Sequence, residues 1–229
     1  MTEILFLQIR LIVIPVEVTM KLYSYIVTRD FGFAPNPFYG YCTLATCKPA
    51  IRRCANIGDI VVGIGSAAKG SLYKNRLIYA MIVSEKLTFD EYWNCERYEC
   101  KRPFMNGSKK KMYGDNVYHI SKETGKIIQE DSHHSFEHGV TNTLNYTRDL
   151  SGEYVLIAEE FWYWGGSAIE LPDEFLGLAN VRRSHIVKTE RSDSALIHSF
   201  LSWLRGMGNT GYIGAPQKFS GSFQRYNGK

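Results

Sequence analysis

A chain of 229 residues that is 45% hydrophobic and 22% charged has a globular composition and is long enough to bury a core without staples. Its formal charge of +4 is mildly basic, which permits a phosphate-attracting patch without requiring one. Five cysteines, an odd number with no C-x-x-C pair, argue against a secreted disulfide framework and a zinc ribbon, and fit free thiols in a reducing cytoplasm.

Residues 1–19 are apolar but interrupted by Gln8 and Arg10 and closed by Pro15. The stretch is too short for a membrane span, and it lacks the basic start and small-residue cleavage site of a signal peptide. It reads either as an extension upstream of Met20 or as an added edge strand over residues 9–14. The expectation is a cytoplasmic protein with no membrane partner.

Residues 22–28 (LYSYIVT) are β-branched and aromatic and predict a strand, followed by a proline-rich loop over 29–37. Residues 43–54 (TLATCKPAIRRC) predict a short helix capped by Thr43 or Thr46, with Pro49 in its first turn. Strands are predicted over 60–64 and 77–83. A helix follows around 88–93, with Thr88 as its cap and Glu91 at the capping-box position. Residues 103–146 are polar and irregular, carrying Lys109, Lys110 and Lys111, then Asp115, Asn116 and His119, then a run from Gln129 to His134. Residues 154–164 predict a strand ending at Gly165 and Gly166. Residues 192–207 predict a helix with Leu196, Ile197, Phe200, Leu201 and Leu204 on one face. The Gly/Ser-rich end from Gly214 predicts a loose tail.

Several constellations could carry chemistry. Arg29, Lys48, Arg52 and Arg53 beside Phe38, Tyr39 and Tyr41 suit a nucleic-acid strand, with cations on phosphates and rings on bases; Thr43 adds a hydroxyl. Asp131, His133, His134 and His138, with Asp115 and His119, could form an acid–base or metal-binding group. A helix would put His134 and His138 on one face, but no complete ligand set is visible. Trp164, Gly165 and Gly166 could wall a pocket. Cys42 or Cys47 could act as a nucleophile near Lys48. Each has a plainer reading, as solvated charge, core aromatics, hydrogen-bonded histidines, a bulge or an inert thiol.

Residues 22–53, GDIVVGIGS (58–66), LIYAMIVSEKLTFDEYW (77–93), YGDNVYH (113–119), IQEDSHHS (128–135) and FWYWGGS (161–167) together resemble the second of the nucleotide-modification-associated domain families. The resemblance implies a bacterial or phage setting of DNA base modification, with DNA, a nucleotide or a DNA-modification enzyme as partner. It brings neither a catalytic residue set nor a cofactor. A second likeness, to PUA-type barrels including the EVE and YTH readers, suggests an aromatic cage drawn from Tyr23, Phe38, Trp93, Trp162 and Trp164. The expected architecture is α+β: one domain over 20–213, with a mixed sheet or PUA-like barrel, a few flanking helices and a flexible tail over 214–229. Two functions follow as expectations. One is a binder that recognises a modified base, with Tyr41 and Trp164 stacking on it. The other is an enzyme of base modification, using Asp115, His119, Asp131, His133 and His134. A third reading is a non-catalytic scaffold.

Overall fold

Alternation of side chains across a pleated strand sorts the apolar residues of this chain onto two faces. In the computed structural model, which describes residues 19–228, β1 (Lys21–Val27), β3 (Ile60–Gly65), β4 (Arg76–Ile82), β9 (Phe161–Tyr163), β11 (Ile186–Thr189) and β12 (Gly211–Tyr212) form one mixed sheet in the order β11, β1, β3, β4, β9, β12. The short β10 (Ile169–Glu170) pairs with β4. One face carries Tyr23, Tyr25, Val61, Tyr79 and Met81. The other carries Leu22, Ile60, Val62, Ala80 and Trp162.

The second face is covered by α5 (Glu190–Gly206), whose buried residues are Ile197, Phe200, Leu201 and Leu204, and by the 3-10 segment Asp173–Ala179. Burial of each of those large side chains stabilises the fold by about 1.5–3 kcal/mol. A second sheet, β2 (Cys42–Leu44), β8 (Tyr154–Ala158) and β5 (Glu85–Thr88), continues from the first. Met81 faces Phe161 and, beyond Val83 and Ser84, Glu85 faces Ile157 in the same register. One antiparallel ribbon therefore bends through both sheets. Around it lie α1 (Pro49–Cys54), α2 (Phe89–Asn94), α3 (Lys109–Met112), α4 (Thr143–Leu150) and the hairpin of β6 (Tyr118–Ile120) and β7 (Ile127–Gln129).

The architecture is α+β, as expected, but the PUA-like barrel is not formed. β11 and β12 stand at opposite edges of an open sheet. The capping box at α2 is present: Thr88 Oγ1 accepts Glu91 N–H, and Thr88 N–H donates to the Glu91 carboxylate. The helix expected over 43–54 is half strand. Residues 42–44 pair with β8 instead, and α1 starts only at Pro49, because Cys47 and Lys48 are both left-handed (φ 57° and 39°). Neither Thr43 nor Thr46 caps it. The end of the chain, expected to be loose, packs down: Tyr226 N–H donates to His133 O (2.7 Å) and Gln217 N–H to the Asp30 carboxylate (3.2 Å). The edge strand weighed for residues 9–14 lies outside the described residues.

Candidate active site

The strand β2 delivers the chain to a turn that precedes α1, and Cys47 sits on that turn. Its left-handed backbone is uncommon for a residue with a side chain. Such outliers persist where the surroundings over-determine them. Here the surroundings are explicit. Cys47 N–H donates to Asp149 Oδ1 (2.8 Å), and Cys47 O accepts Arg52 Nε–H (2.8 Å). Arg52 is fully buried and spends its remaining donors on the carbonyls of Tyr154 and Asp149. Its guanidinium lies against Gly152, where a Cβ would stand 2.5 Å from Arg52 Cζ.

Cys47 Sγ stands 3.7 Å from His134 Nε2. On the far side of the ring, His134 Nδ1–H donates to Asp149 Oδ2 at 2.6 Å, and that oxygen also accepts the Tyr118 hydroxyl at 3.0 Å. Both His134 and Asp149 are buried. Burial opposes charge on His134, yet the adjacent Asp149 carboxylate outweighs it and raises the imidazole to about 10. Burial would likewise raise Asp149, but His134 and then Arg52 hold it below the usual carboxylate range. The next residue behaves in the opposite way. Burial, then the charge of His134, pushes His133 down to about 3, and its Nδ1–H donates to Gln224 O (2.6 Å). Two adjacent histidines are thus split into a charged and a neutral one by which of them meets a carboxylate.

Thiol, imidazole and carboxylate in line form the arrangement of nucleophile, base and orienting acid. The ligand atoms of the same three residues lie within 4.8 Å of one another, close enough to be weighed as a metal site. The ring argues otherwise. Cys47 faces Nε2 and Asp149 faces Nδ1, so the three cannot converge on one ion without giving up the 2.6 Å hydrogen bond.

Cys47 and His134 open on a cavity of about 510 Å³. Its walls include the rings of Tyr25, Phe31, Phe33 and Tyr226 and the cations Arg29, Lys48 and Arg148. Among the described residues none of these three cations has a carboxylate partner. Lys48 Nζ lies over the Tyr25 ring (4.5 Å), Arg29 lies over the Tyr226 ring (4.9 Å), and Arg148 donates to Gly228 O (2.9 Å). An aromatic, cation-lined cavity thus ends at a thiol.

The chain belongs to the family described as nucleotide modification associated domain 2. The family model matches residues 19–223, which take in every side chain of this cavity but the closing ring of Tyr226. No curated protein and no solved structure matches the chain. The family's description associates this protein with nucleotide modification, and no helix among the described residues is long and apolar enough to cross a membrane.

Of the residues singled out from the sequence, Arg29, Lys48, His133 and His134 meet at the cavity, together with Cys47. The others lie elsewhere. Asp115 is buried and accepts from Thr43 Oγ1 (2.6 Å) and the Tyr92 hydroxyl (3.0 Å). His119 pairs with Glu130 (2.7 Å) and stacks on Trp93 (4.1 Å between centroids). Asp131 pairs with Arg225 (2.6 Å). His138 is exposed on a 3-10 turn with φ 57°, so no helix joins it to His134. Arg53 donates to Ser151 O on the surface. Tyr41 packs on Tyr98 (5.2 Å).

Trp164 is buried under α5, and Gly166 N–H donates to Ala215 O (2.7 Å). Trp162 lies in that same core, whereas Tyr23 belongs to the opposite face of the sheet, so the aromatic cage drawn from these residues is not assembled. Sequence reading missed Asp149. The available signal was α4 itself, a helix whose buried residues are the polar pair Asn145 and Asp149 rather than an apolar stripe.

Proposed function

We propose that the protein is a thiol-dependent enzyme acting on a nucleotide or on a base carried by one, with Cys47 as nucleophile, His134 as proton donor and acceptor, and Asp149 as the group that orients and charges the ring. The single observation that carries this reading is the line from Cys47 through His134 to Asp149, opening on a cavity whose cations have no carboxylate partner among the described residues. Cys47 Sγ, as the thiolate beside the charged His134 ring, attacks an electrophilic carbon, such as the acyl carbon of a modified nucleotide. A C–S bond forms, the leaving group departs with the bonding pair, and His134 Nε2–H gives it a proton. Water then attacks the thioester, neutral His134 takes a proton from it, and the C–S bond breaks with its electron pair to return the thiolate beside the charged imidazole, the acyl group leaving as its acid. The planar part of the substrate lies among Phe31, Phe33 and Tyr226, and its phosphate is held by Arg29, Lys48 or Arg148.

The test uses p-nitrophenyl acetate as a generic acyl donor, with intact-mass and peptide mass spectrometry. Acetylation of Cys47 is expected in the wild type and is lost in Cys47→Ser, while nucleoside 5′-monophosphates slow it by occupying the cavity. Acetylation spread over other residues with Cys47 untouched would reject the nucleophile. Acetylation of Cys47 that no nucleotide slows would reject the substrate class.

A further inference from the structure

A second basic and aromatic surface continues from the cavity mouth. Arg29, Phe31, His133 and Tyr226 also line an adjoining cavity of about 270 Å³ that contains Lys218. Lys218 lies over the Phe31 ring (5.7 Å). The next residue, Phe219, accepts Lys109 Nζ–H at its carbonyl (2.6 Å), and its ring packs on Phe38 (5.5 Å). From there Lys110 Nζ reaches over both Phe38 (5.6 Å) and Tyr212 (5.2 Å), and Lys111 Nζ lies over Tyr39 (5.3 Å). A cleft of about 180 Å³ includes Tyr39, Lys110 and Tyr212 among its lining. Its one carboxylate, Glu159, faces Arg97 (3.8 Å). Among the described residues none of Lys109, Lys110, Lys111 and Lys218 forms an ion pair.

Two features go beyond a solvated charge run. Tyr39 and Tyr212 leave 37% and 40% of their surface open, so ring surface stays accessible beside the lysines. Tyr39 also holds a left-handed backbone (φ 63°), an unfavourable state for a bulky residue, while its ring stays half outside. Rings that expose a face beside unpaired cations are the elements of a single-strand seat, where bases stack and phosphates are neutralised.

We propose that the surface from the cavity mouth through Lys218 to the lysines of α3 seats single-stranded nucleic acid, so that the unit to be modified reaches Cys47 as part of a strand. The strand seat stands on its own geometry; only its connection to chemistry rests on the thiol reading.

The experiment is fluorescence anisotropy with a labelled single-stranded deoxyoligonucleotide of about 16 nucleotides, the upper end of the site sizes of single-strand-binding domains, across a salt series. Lys110→Ala with Lys111→Ala should weaken binding about tenfold and reduce the salt slope by about 1.4, at about 0.7 for each phosphate left without its lysine. Tyr39→Asn, which keeps the left-handed turn, should weaken binding by about fivefold or more through lost stacking and leave the salt slope unchanged. Lys122→Ala with Lys126→Ala, equal in charge but on the β6–β7 turn, should bind as the wild type. No binding at low salt, or equal losses for both lysine pairs, would overturn the seat. Thermal melts of every variant test whether folding is what changed, since half-buried Lys111 also donates from Nζ to Cys100 O (3.0 Å). The two readings fail separately. Strand binding with an inert Cys47 sinks the chemistry alone, and nucleotide protection of Cys47 without strand binding sinks the seat alone.

Discussion

At the scale of single residues, a pair of adjacent histidines divides the work. His134 meets Asp149 and is held charged, while His133 meets a carbonyl and is held neutral. The sign of their effect on stability follows. The raised value of His134 means that its stabilisation is complete below pH 6.5 and falls away as pH climbs towards about 10. Asp149, held down, contributes above 3.8 and loses that contribution in acid. His133 is destabilising to bury in acid, so its cost grows as pH falls from 6.5 towards about 3. Urea unfolding of wild type and His134→Gln between pH 6.5 and 10 should therefore converge, the wild type losing stability with pH more steeply than the variant. Parallel curves would show that His134 carries no charge in the fold. Cys47 and His134 were each legible in the sequence as reactive types. Their pairing was not, because 87 residues separate them.

At the scale of elements, the strands were legible because apolar alternation and β-branched runs mark β1, β3 and β4 directly. Thr88 and Glu91 likewise marked the start of α2. The run from Thr43 to Cys54 misled for a physical reason. Two consecutive left-handed residues split it into a strand and a helix, and neither is a glycine that would have signalled the turn. Arg52 misled in the same way: a cation on a short helix reads as a phosphate ligand, whereas its donors are spent on three carbonyls around Cys47 and Asp149. Gly152→Ala tests that clamp. Its methyl group would enter the guanidinium's space. Overpacking of this kind costs about 1–3 kcal/mol. A lower melting temperature is expected, together with slower alkylation of Cys47. A melting temperature equal to that of the wild type would show that Arg52 has room to move and does not fix the turn.

At the scale of the molecule, the bent ribbon brings together parts that are distant along the chain. β8 pairs with β2 and so places the turn carrying Cys47 beside α4, which ends just before β8 and carries Asp149. The irregular stretch read as polar loop supplies His134 between β7 and α4. The last residues close the cavity with Tyr226, whose carbonyl accepts Asn145 Nδ2–H (2.7 Å). None of this depends on local propensity, which is why composition and periodicity gave an α+β class and left the site unassembled. On the proposed reading, the fold makes a nucleophile of Cys47 through His134 and Asp149. Site-resolved iodoacetamide alkylation at pH 6.5 tests this by comparing half-buried Cys47 with exposed Cys54 in wild type, His134→Ala and Asp149→Asn. Cys47 is expected to react faster than Cys54 in the wild type and to slow by about tenfold, equivalent to about 1.4 kcal/mol of barrier, in both variants. Cys47 reacting no faster than Cys54, or at an unchanged rate without His134, would contradict it.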